Sequence, residues 1–114
     1  MRVLVCGGRD FDDEALLIKR LDELNEVYHF TALIEGDARG ADQLAGKWAE
    51  SIGIEHLVFP ANWKKYRAAA GPIRNKQMLD EGKPDLVIAF PGGKGTANMI
   101  QQALDVGVSV ETVN

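Results

Sequence analysis

Short runs rich in aliphatic and β-branched residues alternate along this chain with longer amphipathic stretches, and no other feature restricts its fold as strongly. The runs predict five strands: Arg2 to Cys6, Thr31 to Glu35, Glu55 to Phe59, Leu86 to Phe90 and Val108 to Val113. Parallel strands need a crossover connection, usually a helix, so this alternation indicates βαβ units. The pattern therefore predicts an α/β fold with a mainly parallel sheet of about five strands and helices on both faces.

Four of the intervening stretches have the apolar spacing of amphipathic helices. They are Asp12 to Val27, Gly40 to Ile52, about Pro72 to Gly82, and about Thr96 to Val106. Trp48 lies in line with the apolar positions of its helix, which favours core packing for the indole. The stretch from Ala68 to Gly71 is interpreted as a loop or a helix break.

Length and composition predict one globular domain over residues 1–114, since 46% of its residues are hydrophobic and 26% are charged. No apolar run approaches the ~20 residues that span a bilayer and no signal peptide is evident, so no membrane partner is expected. The single cysteine, Cys6, cannot form an intramolecular disulfide, which favours a cytoplasmic setting. His29 and His56 are isolated, so neither a metal nor a cofactor is expected.

The charge distribution indicates the kind of partner. A formal net charge of -4 argues against nonspecific binding to nucleic acid. Between His56 and Leu79 no acidic residue occurs, whereas five basic ones do: Lys64, Lys65, Arg67, Arg74 and Lys76. A local positive patch on an acidic protein favours a small phosphorylated ligand. A solvated surface loop is an equal alternative for Lys64 and Lys65.

Glycines cluster directly after the first, second and fourth predicted strands. Seven of the twelve lie there: Gly7, Gly8, Gly36, Gly40, Gly92, Gly93 and Gly95. The carboxyl ends of parallel strands share one edge, where ligands bind at the point at which the strand order reverses. The turn from Pro91 to Thr96, which includes Lys94, stands between a strand and a helix, an order that aims backbone N–H groups at a phosphate. The alternative is that the glycines only close tight strand-to-helix turns. That interpretation is adequate for one glycine-rich loop, but it explains three such loops at one edge of the sheet less well.

Polar and aromatic side chains accompany these glycines. The candidate ligand contacts among them are Arg9, Asp10, Asp37, Asp42, Trp63, Arg74 and Asn75. Arg74 is the strongest candidate for a phosphate contact because its planar guanidinium can bind an oxyanion through two donors, with a surface ion pair as the alternative. Trp63 either stacks on a purine or pins its loop to the domain. Asp10, Asp42 and Arg74 are also the candidate catalytic groups.

Five motifs in this order resemble the SLOG superfamily, the Rossmann-like group that joins the Smf/DprA proteins to the LOG phosphoribohydrolases, and most of all its small YspA/YpsA-related branch. The motifs are Gly7–Phe11, Gly36–Asp42, Pro60–Trp63, Gly71–Asn75 and Pro91–Ala97. The resemblance covers Arg2 to Val110 and implies a three-layer sandwich. It also implies a nucleotide or nucleotide-derived ligand, ADP-ribose-like or phosphoribosyl, at the glycine-rich edge. Related folds often pair through helices, so a homodimer is the assembly to test.

One departure from the enzymatic members bears on the function. In the LOG pattern the Pro-Gly-Gly-x-Gly-Thr turn is followed, after two intervening residues, by a glutamate that supports N-glycosidic cleavage together with an upstream arginine, and here that position is Met99. Methionine cannot stabilise the positive charge that develops on the sugar. The first hypothesis is therefore a binding module, a sensor or sequestering protein. The second is a nucleotide-processing hydrolase with another carboxylate, and the candidates for it are Asp10, Glu35, Asp37 and Asp42.

Overall fold

The computed structural model describes residues 1–114 as a five-stranded sheet covered by helices on both faces. The strands are β1 Arg2–Cys6, β2 Ala32–Glu35, β3 Glu55–Val58, β4 Leu86–Ala89 and β5 Ser109–Thr112. Their order is β3-β2-β1-β4-β5, and every neighbouring pair is parallel. The predicted α/β class and the Rossmann-like three-layer arrangement are confirmed, and the strand ends differ from the predicted ones by at most one residue.

Five α-helices connect the strands or follow them. They are α1 Glu14–Tyr28, α2 Ala41–Ile52, α3 Trp63–Tyr66, α4 Ala70–Gln77 and α5 Lys94–Asp105. A 3₁₀ turn over Arg67–Ala69 joins α3 to α4, and a π-helical turn over Met78–Gly82 follows α4. None of these helices is long and apolar enough to cross a membrane.

The region before Pro72 differs from the sequence expectation. The prediction of a loop or helix break over Ala68–Gly71 is confirmed for Ala68 and Ala69, which lie in the 3₁₀ turn between α3 and α4, and is wrong for Ala70 and Gly71, which form the first residues of α4. Pro72 still lies in the first turn of that helix, where a missing N–H leaves no hydrogen bond unmade. The short helix α3 was not predicted, although Asn62 caps it by accepting a hydrogen bond from the Lys65 N–H at 3.1 Å.

The two faces of the sheet bury alternate residues of each strand. Val3 and Val5 of β1 face a core formed with α1 and α2, in which Leu17, Leu21 and Trp48 are buried. Leu4 and Cys6 face the opposite core, formed with α5 and the π-helical turn, whose members include Met78, Leu79, Met99 and Ala103. This period of two is the property of a strand covered on both sides. The prediction that Trp48 packs in the core is confirmed.

The order of the strands reverses beside β1. The chain moves from β1 outward through β2 to β3, and then crosses to β4 on the other side of β1. At the carboxyl edge, the Gly8 N–H donates to the Pro91 carbonyl at 2.9 Å and the Ala41 N–H donates to the Gly8 carbonyl at 3.3 Å. The loops that follow β1, β2 and β4 are therefore joined to one another at this edge.

Candidate functional site

A crevice of about 620 Å³ opens at the carboxyl edge where the strand order reverses. Its walls come from the loops after β1, β2 and β4 and from α3 and α4. The predicted residues that line it are Gly7, Gly8, Arg9, Asp42, Trp63, Arg74, Asn75, Gly93, Lys94, Gly95 and Thr96. Such a position is where open α/β sheets hold ligands, and the volume lies in the usual range for a small molecule.

The remaining candidates lie outside this crevice. Gly36 and Asp37 line an adjoining cavity of about 340 Å³. Asp10 is fully exposed and its carboxylate lies 3.5 Å from the Arg39 guanidinium, over a separate surface depression that Gly40 also lines. Pro91 and Gly92 line a further depression beside Asp13. Asp10 is thus turned away from the crevice because its side chain projects into solvent from the loop after β1.

The amino terminus of α5 forms one wall of the crevice. Its N-cap is Gly93, which offers no capping side chain, and the first intrahelical hydrogen bond runs from the Ala97 N–H to the Gly93 carbonyl. The N–H groups of Lys94, Gly95 and Thr96 consequently have no acceptor within the protein. By contrast, Asp13 caps α1 with its own carboxylate. The α5 terminus is an open set of donors at the positive end of a helix dipole.

Arg74 lies across the end of β2. Its Nη1 donates to the Gly36 carbonyl at 2.6 Å and its Nε donates to Asn75 Oδ1 at 3.0 Å. A Cβ on Gly36 would lie 2.5 Å from Arg74 Nη1, so this close approach requires glycine. The predicted alternative of a surface ion pair is wrong, because Arg74 is half-buried and its hydrogen bonds go to a carbonyl and an amide. Burial lowers the pKa of the Arg74 guanidinium, although the Asp42 carboxylate opposes that shift.

Asp42 is a buried carboxyl in the crevice wall, 5% exposed. Its Oδ2 accepts a hydrogen bond from the Ala38 N–H at 3.2 Å. Burial raises the pKa of Asp42 to about 7, and the Ala38 N–H and the Arg74 charge only partly offset this effect. Burial, reinforced by the Asp42 charge, likewise raises the pKa of the Cys6 thiol to about 12, so the thiol stays protonated and unreactive.

Asn75 joins α4 to α5 beneath the crevice. It is 3% exposed, and its amide nitrogen donates to the Gly95 carbonyl at 3.2 Å and to Asn98 Oδ1 at 3.1 Å. Because its amide oxygen accepts from Arg74 Nε, its side chain is occupied by protein contacts. Asn75 therefore holds Arg74 and the α5 terminus in place.

Trp63 stands at the mouth of the crevice, 45% exposed. The Arg9 guanidinium lies over its ring, with Cζ 5.2 Å from the centroid. A Cβ on Gly71 would lie 3.5 Å from Trp63 Cη2, so the far edge of the indole rests against the start of α4. The indole thus has one edge packed on the domain and a cation stacked on its ring.

Glu35 and Asp37 set the shape of the loop after β2. Buried Glu35 contacts His56 Nε2 through Oε2 at 2.7 Å and accepts the Asp37 N–H through Oε1. Burial raises the pKa of Glu35, and its hydrogen bonds to His56 and to the Asp37 N–H act in the opposite direction. Asp37 has a φ of 61°, in the left-handed region that residues other than Gly seldom adopt. Glu35 therefore stabilises the turn and is not presented to the crevice.

Position 99 does not face the crevice in this chain. Met99 is completely buried against the sheet in the core that contains Leu4 and Cys6. Asn98, one residue earlier, lines the crevice instead and was not predicted. The signal for it was its spacing of three residues from Gly95, which puts both on one face of α5. Other lining residues outside the predicted set are Cys6, Ala38, Ala68, Gly71, Pro72 and Met78.

No group of three or more His, Cys, Asp or Glu side chains is arranged to hold a metal ion. The chemistry that the crevice offers is instead that of anion contact: unpaired backbone donors, guanidinium groups and one buried carboxyl. Arg9, Arg74 and the α5 terminus supply the positive groups, and Asp42 supplies an acceptor for hydroxyls or amines.

Comparison with known proteins agrees with this architecture. The model of the YspA, cpYpsA-related SLOG family matches residues 1–66. The Gene 61 protein of Mycobacterium phage D29 is 32% identical over 117 residues, which cover 96% of this chain and 93% of that protein. The chain belongs to the YspA, cpYpsA-related SLOG family.

Proposed function

We propose that this SLOG-family chain binds a nucleotide or a nucleotide-derived molecule, of the ADP-ribose or phosphoribosyl class, in the crevice between β1 and β4, and that it acts as a sensor or sequestering module. The observation that carries the proposal is the open amino terminus of α5, whose N–H groups at Lys94, Gly95 and Thr96 lack protein acceptors. Such a terminus stabilises a phosphate through its donors and its dipole together.

The neighbouring groups suit the rest of such a ligand. Arg74 is held at the crevice wall by the Gly36 carbonyl and retains a second terminal nitrogen as a donor. The buried Asp42 carboxyl can accept hydrogen bonds from ribose hydroxyls, as acidic residues do in related sheets. The exposed part of the Trp63 ring offers a flat apolar surface to a base.

Gly93→Asp tests the proposal directly. No atom lies within 4 Å of the position that a Cβ would take at Gly93, so the fold has room for the added side chain. A carboxylate placed among the phosphate donors should weaken binding of AMP or ADP-ribose by on the order of a hundredfold or more. Isothermal titration calorimetry measures the affinity and thermal unfolding checks the fold.

The matched control is Gln101→Glu, which adds the same charge to an exposed position of α5 beyond its first turns. It should leave the affinity unchanged. Unaltered affinity in Gly93→Asp, with both proteins folded, would contradict a phosphate site at the α5 terminus.

A hydrolase acting on an N-glycosidic bond is the second candidate. The observation that favours it is the Asp42 carboxyl, which shares the crevice with Arg74. Asp42 and Arg74 together supply a carboxyl and an arginine, whereas Met99 cannot supply the carboxyl. Incubation with AMP, NAD and ADP-ribose, followed by chromatography for released base, separates the two candidates. Turnover that disappears in Asp42→Asn would establish the hydrolase, and absence of turnover favours the binding module.

A further inference from the structure

The cavity that adjoins the crevice shares part of its lining with it. We call it the arginine cavity; it measures about 340 Å³ and lies beside the loops that follow β2 and β3. Arg9, Ala38, Trp63 and Arg74 line both spaces, so a molecule seated in the crevice can extend past these side chains. Arg39 belongs to the arginine cavity and not to the crevice.

Basic residues outnumber acidic ones in the lining of the arginine cavity. Three arginines line it, Arg9, Arg39 and Arg74, with one acidic residue, Asp37, and the Asp10 carboxylate that pairs with Arg39 lies outside it. The charge of Arg9 is close enough to Arg74 to lower its pKa further, so two like charges face a common space. An anion between them would relieve this repulsion and accept the donors that they retain.

The Arg39 guanidinium is available to bind an anion. Its one ionic contact is with Asp10 at 3.5 Å, and both side chains are largely exposed, at 75% and 101%. Such surface pairs contribute little to stability, so exchange of Asp10 for a ligand anion costs little. Asp37, the opposing carboxylate, has its backbone fixed by Glu35 and its side chain exposed to solvent.

The spacing of the strands separates this cavity from the phosphate site at α5. The arginine cavity follows β2 and the α5 terminus follows β4, and these strands flank β1. Adjacent strands lie about 4.8 Å apart, so the two strand ends are roughly 10 Å apart. One phosphate cannot occupy both places, whereas two anionic groups joined through a sugar can.

We propose that the ligand carries two separate anionic groups, one bound at the amino terminus of α5 and the other in the arginine cavity by Arg9, Arg39 and Arg74. This inference rests on the proposed function and narrows its ligand to a nucleotide with a second phosphate beyond its sugar. A mononucleotide occupies only the crevice. Arg39 therefore contacts a ligand with two anionic groups and does not contact a mononucleotide.

The test compares AMP with adenosine 3′,5′-bisphosphate by isothermal titration calorimetry on the full chain. The wild-type protein should bind the bisphosphate about tenfold or more tightly than AMP, because a second set of charge-assisted hydrogen bonds forms. Arg39→Gln should remove most of that preference and leave AMP binding unchanged. Arg20→Gln is the control, since Arg20 is another surface arginine paired with a carboxylate, on α1.

Each outcome separates this inference from the proposed function. Equal affinities for the two probes, or an Arg39→Gln variant that binds both probes more weakly by the same factor, would contradict anion binding in the arginine cavity. Either result would leave the proposed phosphate site in the crevice unaffected. Bisphosphate binding that depends on Arg39 in the absence of AMP binding would support the arginine cavity and contradict the phosphate site at α5. Failure of both probes to bind would overturn both proposals.

Discussion

At the scale of single residues, Gly36 is the position on which the crevice depends most closely. Its missing side chain lets the Arg74 guanidinium lie across the end of β2 and bind the Gly36 carbonyl. Gly36 does not have a positive φ, so the need for glycine here is one of space and not of backbone conformation. The absence of a side chain at Gly36 therefore allows an arginine from a distant helix, α4, to take its position at the end of β2.

Gly36→Ala should weaken ligand binding much more than it weakens the fold. The new Cβ would overlap the flexible end of Arg74, which can swing aside at a cost of about 1–2 kcal/mol in the free energy of unfolding. The displaced guanidinium no longer faces the ligand, and affinity for AMP or ADP-ribose should fall about tenfold. Calorimetry and urea unfolding measure the two effects.

A double-mutant cycle with Arg74→Ala decides whether Gly36 acts through Arg74. If it does, the double variant binds as weakly as Arg74→Ala alone. Additive losses would show that Gly36 affects binding by another route.

Asp42 makes stability depend on pH. Because burial raises the pKa of Asp42 from its usual 3.8 to about 7, the folded protein holds this proton more tightly than the unfolded chain does. Raising the pH between these values therefore favours the unfolded state, and above about 7 the effect is complete. The free energy of unfolding of the wild type, relative to Asp42→Asn, should fall over this window by at most about 1.4 kcal/mol per pH unit.

Urea unfolding at a series of pH values measures this difference. Asp80→Asn is the control, since it removes an exposed carboxyl paired with Lys76 on the surface. A wild-type curve parallel to that of Asp42→Asn from pH 4 to pH 7 would contradict the raised pKa.

At the scale of secondary-structure elements, α2 packs on the sheet through a glycine. Gly46 lies over the contact between Glu35 and His56, where a Cβ would fall 2.6 Å from His56 Nε2 and 2.7 Å from Glu35 Oε2. His56 is held on its other side by Glu50 at 3.4 Å. Helix α2 therefore packs over the hydrogen-bonded pair of Glu35 and His56 at the carboxyl end of β2.

Gly46→Ala should lower the free energy of unfolding by about 1–3 kcal/mol, because overpacking against a buried polar pair outweighs the better helix propensity of alanine. Gly95→Ala is the matched control: it is also a helical glycine, yet no atom lies within 4 Å of its Cβ position. That variant should be neutral or more stable by up to about 1 kcal/mol. Equal effects in the two variants would show that α2 adjusts to the added methyl group.

The sequence predicts the elements better than it predicts their contacts. The alternation of strand and helix patterns is a local property, and it located all five strands to within one residue. The segment from Trp63 to Gly82 was less predictable, because its short helix, 3₁₀ turn and π-helical turn depend on how Gly71 meets Trp63 and how Gly82 meets Ile34. The exposure of Asp10 and the burial of Met99 likewise depend on tertiary packing and leave no local signal.

At the scale of the whole molecule, charge is distributed unevenly. The chain has a net charge of -4, yet three arginines and an open helix terminus face one edge of the sheet. Asp22, Glu23 and Glu26 lie farther along α1, which packs on the opposite face of the sheet from α5. The positive groups are thus confined to one edge of an acidic molecule, where Asp10 and Glu14 also lie, and such a local positive patch favours small ligands over polyanions.

The placement of the two tryptophans has an optical consequence. Trp48 is 4% exposed in the core, whereas Trp63 is 45% exposed at the mouth of the crevice with the Arg9 guanidinium over its ring. A ligand that draws Arg9 away changes the polarity around one indole and leaves the other untouched. The protein thus carries an intrinsic fluorescent probe of its crevice together with an internal reference, and occupancy can be followed by emission without any added label.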